Sequence, residues 1–153
     1  MILREFSPSE YHVIDTNEYG LSLLSSHLPA ASPVRIHHCN ALNPPAALTA
    51  DVVFSVGLIE HFDKRGTANV VRAHLELLRP GGCAVISFPT PTLLYRISRR
   101  LVEAAGLWKF LDERPLMPEE VREALVGRVE VLHEETLWPL ILTQRLIVAR
   151  KIG

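Results

Sequence analysis

Residues 51–91 read DVVFSVGLIEHFDKRGTANVVRAHLELLRPGGCAVISFPTP. The run DVVFSV (51–56) is nearly all apolar and does not alternate, which predicts a strand covered on both faces, as in a parallel sheet. After it, Thr67, Val70, Val71, His74, Leu75 and Leu78 recur at the spacing of one helix face. That face is stopped by Pro80-Gly81-Gly82. CAVISF (83–88) is a second apolar strand, ending in the breakers Pro89-Thr90-Pro91. Strand, helix and strand in this order predict a parallel pair joined by a right-handed crossover.

The neighbouring segments extend the pattern. YHVIDT (11–16) reads as a strand, and Asn17 as the N-cap of a helix through LSLLSSHL. VRIHHC (34–39) follows Pro33 as another strand, and ALNPPAALTA is a loop because Pro44-Pro45 cannot extend a helix or a central strand. Beyond the quoted stretch, a helix is expected over about 92–106, with Leu94, Ile97, Leu101 and Ala105 on one side and Arg96, Arg99 and Arg100 on the other. Pro118 with Glu119-Glu120 opens a short helix to about Leu125. VEVLHEETL and ILTQRLIVAR, joined around Trp138-Pro139, read as antiparallel neighbours. The expected class is α/β, a mainly parallel sheet with a C-terminal antiparallel hairpin.

The chain has 153 residues, expected to form a single domain over 1–153. Formal charge is −1 and no basic run exceeds a pair, so a nucleic-acid partner is not expected. Cys39 and Cys83 lie far apart without metal-ligand spacing. No apolar run approaches the roughly 20 residues of a membrane span, so no stable membrane insertion is expected. MILREFSPSE carries charges early and lacks an apolar core, unlike a signal peptide, and a cytoplasmic protein is expected.

In open α/β sheets ligands bind beyond the carboxyl ends of the strands. Those ends carry Asp15, Asn40, Ser55 to His61, and Pro89 to Thr92. The succession HVIDTN, HCNAL, DVVFSVGLIEHFD and LELLRPGGCAVISFPTP resembles class I S-adenosylmethionine-dependent methyltransferases of the small-molecule type. The resemblance implies S-adenosylmethionine as cofactor. Asp15, with Thr16 beside it, matches the acid that holds the ribose hydroxyls, and a carboxylate suits a vicinal diol. Asn40, with Ala41, matches the position that takes the adenine amino group, where an aspartate is commoner; an amide oxygen also accepts there. Ser55, Val56 and Gly57 would run beneath the methionine half.

One family element is missing. The first strand and its glycine-rich turn should precede Asp15 by roughly 30 residues, the length of a βαβ unit. Only fourteen residues stand there, and the first glycine is Gly20. MILREF is a candidate strand, but SPSE is too short for a parallel crossover. The expectation is a fragment of a longer protein or a reduced descendant, with the strands at 11–16 and 51–56 left with open edges that invite self-association or forced together.

Glu60-His61 has three readings. It opens the following loop and helix, Glu60 supporting helix-end amides and His61 packing on the sheet. It assists catalysis, with His61 ahead of Glu60, because methyl transfer to a hydroxyl needs a base. Or it binds a divalent ion, as in quinone-pathway O-methyltransferases with an E-x-x-E-H arrangement; here Gly57 replaces the first acid, so no metal site is expected. SVGLIEHF also resembles cyclopropane fatty-acid synthases, but the histidine those enzymes place after the next strand is absent from SFPTPT.

His37-His38 should point to opposite faces, and His74 should be a packed core residue. GLWKFLDERPLMPEEV (106–121) lies where the family builds its substrate cover; Trp108, Phe110 and Asp112, together with Tyr95, are candidate acceptor contacts. The function expected is methyl transfer from S-adenosylmethionine to oxygen or nitrogen of a small-molecule acceptor. The rivals are lipid modification and a non-catalytic interaction module.

Overall fold

The computed structural model describes residues 2–107, 113–137 and 143–153. Contacts group the chain into two compact units, Met1–Ala46 and Ala47–Gly153. The first holds helix α1 (Ile2–Phe6), strand β1 (Tyr11–Asp15), helix α2 (Glu18–His27) and strand β2 (Val34–His38). Ile2–Phe6 is therefore helical, a correction of the strand considered for MILREF. Leu, Arg and Glu are good helix formers. The helix stops at Ser7, whose N–H still reaches the Leu3 carbonyl at 3.2 Å while its φ of 43° and Pro8 beyond turn the chain out.

β1 and β2 are parallel, in register from Tyr11↔Val34 to Asp15↔His38, so both strands end at one edge of the pair. The turn into α2 is capped twice. Asp15 Oδ1 accepts the Asn17 N–H at 2.8 Å, and Asn17 Oδ1 accepts the Gly20 N–H at 2.9 Å. His37 and His38 diverge as alternation requires: His37 Nε2 lies 2.8 Å from His12 Nδ1 with the two rings stacked, while His38 Nε2 donates to the Thr16 carbonyl at 3.1 Å.

The second unit holds β3 (Ala50–Val56), a 3-10 turn (Ile59–His61), α3 (Lys64–Leu77), β4 (Leu78–Pro89), α4 (Leu93–Ala104), α5 (Pro118–Leu125), β5 (Val129–Leu137) and β6 (Gln144–Lys151). Its sheet order is β3-β4-β6-β5, with β3 parallel to β4 and the pairs β4·β6 and β6·β5 antiparallel. This is the expected α/β class with a C-terminal antiparallel hairpin. Residues 138–142, where Trp138-Pro139 was expected to join the two strands, lie outside the described residues.

The core forms where the helical stripe meets β4. Val70, Val71, His74 and Leu75 of α3 are buried, as are Ala84, Ile86 and Phe88 of β4. His74 is the packed residue expected: Nδ1 lies 2.7 Å from the Val70 carbonyl, and burial lowers its basicity. α3 is capped at its start by Asp63, which accepts the Gly66 N–H at 2.7 Å. At its end Lys151 Nζ, reaching over from β6, donates to the carbonyls of Leu75 and Leu78 at 2.8 and 2.7 Å.

Two sequence expectations change. β3 is not covered on both faces: Val52 is 56% and Val56 74% exposed, whereas Ser55 on the opposite face is buried. Among the described residues β3 also pairs only with β4, and β1 only with β2. The open edges expected for the strands at 11–16 and 51–56 are thus present among the described residues. α4 also turns its apolar side outward, with Leu94, Ile97 and Leu101 exposed and only Tyr95 buried.

Pro80-Gly81-Gly82, expected to stop the helix, lies instead within β4, because α3 ends at Leu77 and the strand begins at Leu78. Here the β3–β4 register jumps from Ala50↔Leu78 to Val52↔Cys83. A Cβ on Gly82 would stand 2.9 Å from the Asp51 carbonyl oxygen and 3.0 Å from that of Arg79, both backbone atoms. Gly82→Ala is therefore expected to force the strands apart at a cost of about 1–3 kcal/mol, read as a lower urea midpoint with unchanged slope.

Candidate functional site

The strand ends singled out from the sequence differ in how much of their hydrogen-bonding capacity the fold consumes. In the first unit, Asp15 and Asn40 are exposed at the ends of β1 and β2. Asp15 spends Oδ1 on the Asn17 N–H, which fixes the carboxylate and leaves Oδ2 turned to no partner among the described residues. Asn40 Oδ1 accepts the Leu42 N–H at 2.9 Å, closing an Asx turn. A carbonyl oxygen has a second lone pair, so Asn40 keeps acceptor capacity. Thr16 is exposed and Ala41 half-buried beside them.

In the second unit the end of β4 is consumed by structure. Thr90 N–H donates to the Thr143 carbonyl at 3.1 Å, Thr92 Oγ1 is 2.9 Å from Thr143 Oγ1 and also caps α4, and Ser87 Oγ donates to Gln144 Oε1 at 3.2 Å. The end of β3 is different. Ser55 Oγ and Glu60 Oε2 are buried and have no hydrogen-bond partner among the described residues. Leaving such a group unpaired costs about 1–3 kcal/mol, so both atoms retain capacity for a ligand's polar groups. This fits the methionine end of S-adenosylmethionine, the part of the cofactor expected beside Ser55, Val56 and Gly57.

Gly57 makes the turn at φ 66° and donates its N–H to the Ser87 carbonyl at 3.1 Å. The Glu60 carboxylate folds back over it, with Oε1 3.4 Å from where a Cβ would stand. The positive φ and this close carboxylate explain why an acid at residue 57 would not fit here. Among the described residues no cluster of three His, Cys, Asp or Glu could hold a metal ion.

Of the three readings of Glu60-His61, the first had His61 packing on the sheet, and it is Glu60 that is buried instead. Glu60 is 3% exposed, whereas His61 lies at the surface. Glu60 does not support helix-end amides, because Asp63 caps α3 instead. Burial pushes the Glu60 carboxyl up; its own backbone N–H and neighbouring His61 pull it down, and the Glu113 charge pushes it up again, with a net rise.

Glu113 was not singled out from the sequence, although it lies inside the DERP run of the expected substrate cover. The Tyr95 hydroxyl donates to Glu113 Oε1 at 3.1 Å, and Arg99 Nη1 donates to the Glu113 carbonyl at 3.1 Å. Tyr95 is 2% exposed, so it stands in the interior rather than on the surface as a ready acceptor contact. Burial, then the Glu113 charge, push its phenol up to about 12 against the opposing pull of Arg99, so it serves as a hydrogen-bond donor, not a base. Arg114 holds this arrangement in place. Its N–H donates to the Glu60 carbonyl at 3.1 Å, and its guanidinium grips both Glu120 oxygens at 2.9 and 2.7 Å and Thr67 Oγ1 at 3.1 Å. Trp108, Phe110 and Asp112 lie outside the described residues.

A raised carboxyl makes a signed prediction. Glu60 contributes its stability below the carboxyl value of the unfolded chain, near 4.3, and loses it as pH rises through the higher folded value. Glu60→Gln cannot ionise, so it is expected to melt above the wild type at pH 8, with the gap closing towards pH 4. Thermal melts across that range measure it, and a variant that melts lower at pH 8 would contradict the assignment.

A family model described as "Methyltransferase domain" matches residues 1–86. None of the curated protein sequences matches the chain. Among solved structures it is similar to the N-methyltransferase NodS from Bradyrhizobium japonicum WM9 in complex with S-adenosylhomocysteine, at 14% identity and a TM-score of 0.72, covering 94% of this chain and 67% of that one. It is similar to magnesium protoporphyrin IX methyltransferase (ChlM) from Synechocystis PCC 6803 with bound S-adenosylhomocysteine, at 12% identity and a TM-score of 0.75, covering 95% and 65%. An O-methyltransferase family protein from Burkholderia thailandensis gives 19% identity, a TM-score of 0.71 and coverage of 99% and 47%. The chain thus spans between about half and two thirds of the length of these proteins, and at such identities the likeness establishes the fold. With the matched family model covering more than half of its residues, the chain belongs to the methyltransferase-domain family, whose cofactor is S-adenosylmethionine.

Proposed function

We propose that the protein transfers a methyl group from S-adenosylmethionine to an oxygen or nitrogen of a small-molecule acceptor, in the cytoplasm. The observation that carries this reading lies at the end of β3, where Ser55 Oγ and Glu60 Oε2 are buried without a hydrogen-bond partner among the described residues. Bound S-adenosylmethionine supplies an electrophilic methyl group on a sulfonium. Asp15, with Thr16 beside it, is assigned the ribose hydroxyls, and Asn40 with Ala41 the adenine amino group. Ser55, Val56 and Gly57 are assigned the methionine end.

The protein's remaining task is alignment of the acceptor and removal of its proton. His61, open to solvent, is the base proposed for that proton. Glu60, neutral over a wider range than an exposed acid, is proposed to hydrogen-bond the acceptor beside it. Tyr95 acts on this proposal through Glu113, as a positioning residue.

A second reading is supported by the open edges of β1 and β3: a domain that binds no cofactor and serves as an interaction module. Self-association belongs to either reading, because unpaired strand edges template further pairing. Val52→Lys, which places a charge on the uncovered face of β3, is expected to raise the monomer share in sedimentation velocity without lowering stability.

Calorimetric titration of S-adenosylhomocysteine separates the two readings. Binding is expected, and Asp15→Ala is expected to weaken it about tenfold or more, the loss of hydrogen bonds to a charged group. No binding by a folded, monodisperse sample would favour the interaction module.

A further inference from the structure

α4 is a helix turned inside out, and we propose that its outer face docks on an anionic lipid surface. Its apolar residues do not enter the core. Leu94, Ile97 and Leu101 recur at helical spacing and are 46%, 47% and 67% exposed, and Leu93 on the same stripe is 74% exposed. The inward face is held by the buried Tyr95 and by Arg99, whose guanidinium is occupied by Glu103 Oε1 at 2.7 Å and the Glu113 carbonyl at 3.1 Å. Helix orientation is thus fixed by contacts on one side, and a contiguous apolar stripe is left on the other. A patch of this kind on a protein surface marks an interaction site.

Charge decides what the stripe meets. Arg96 and Arg100 are exposed, one helical turn apart, along one margin of the stripe. Neither forms an ion pair among the described residues. An apolar stripe with a cationic margin is the pattern of a helix lying in the plane of a membrane interface, its leucines among the acyl chains and its arginines at the phosphates. At twelve residues, roughly 18 Å long, α4 lies on a bilayer and does not cross it. No described helix is long and apolar enough to span a membrane. A second copy is a poorer occupant: an antiparallel symmetric pairing through this stripe would set the Arg96 and Arg100 margins of the two copies on the same side, against one another. At the start of β3, by contrast, Arg79 is paired with Asp51 at 2.8 Å. The inference concerns α4 alone and stands apart from the methyl-transfer reading.

Flotation of the full chain with vesicles tests it, since aggregates do not float. The protein is expected to rise with vesicles of phosphatidylcholine mixed with phosphatidylglycerol, less with phosphatidylcholine alone, and less at high salt. Ile97→Asp with Leu101→Asp is expected to abolish flotation; both sites are exposed, and circular dichroism checks that the fold is kept. Arg96→Ser with Arg100→Ser, which leaves the stripe intact, is expected to weaken binding to anionic vesicles about thirtyfold. Three results would overturn the proposal: no flotation of the wild type, flotation equal on both vesicle types, or flotation that neither double variant changes. A concentration-dependent dimer split by Ile97→Asp with Leu101→Asp, without flotation, would assign the stripe to a second copy instead.

Discussion

The second unit depends on β4 being paired along both edges. It is parallel to β3 on one side and antiparallel to β6 on the other, and it buries Ala84, Ile86 and Phe88 almost completely. A strand in that position sets the register of its neighbours, because a shift of one residue would turn every core side chain outward. It also fixes where the sheet ends, at Ser87 to Thr90, and therefore where β3 delivers Ser55 and Gly57. Gly82 is the condition for this pairing, since the Asp51 and Arg79 carbonyls leave no room for a side chain.

From that frame the chemistry around Glu60 follows. The chain leaving β3 turns at Gly57, and the 3-10 turn buries Ile59 and Glu60. Arg114 then ties the backbone of Glu60, through its own N–H, to Glu120 and Thr67, through its guanidinium, so one residue holds a turn, α3 and α5 together. Bidentate pairs of this kind add geometric definition as well as energy. A buried acid held so firmly, with one oxygen unpartnered, is a functional candidate on physical grounds. The adjoining histidine, which residue chemistry alone favours as the active group, is left at the surface.

Much of the fold was legible because it rests on local periodicity. The helical stripe from Thr67 to Leu75, the cap at Asn17, Pro118 in the first turn of α5 and the terminal hairpin read directly from spacing and capping residues; the stop did not, since α3 ends at Leu77 and Pro80-Gly81-Gly82 lies within β4. The errors share a different cause. MILREF was considered as a strand because its apolar residues suit either state in so short a run. DVVFSV was read as covered on both faces because an apolar run implies a parallel strand without saying whether a neighbour exists. Periodicity grouped Leu94, Ile97 and Leu101 on one side of α4, but it did not show that this side would be exposed, or that Arg99 would turn inward while Arg96 and Arg100 stay at the surface.

The sequence by itself determined the order and type of most elements beyond residue 10, the α/β class, the strand ends where polar residues collect and the resemblance to a methyltransferase. Each is a property of residues near one another along the chain. Tertiary structure decided the rest: that Asp63 rather than Glu60 caps α3, that Glu60 is buried while His61 is exposed, that Tyr95 reaches Glu113 across eighteen positions, and that α4 shows its leucines to solvent. The physical reason is that burial and hydrogen bonding are shared between distant segments. Desolvation depends on what packs over a side chain, and no local pattern states what that will be.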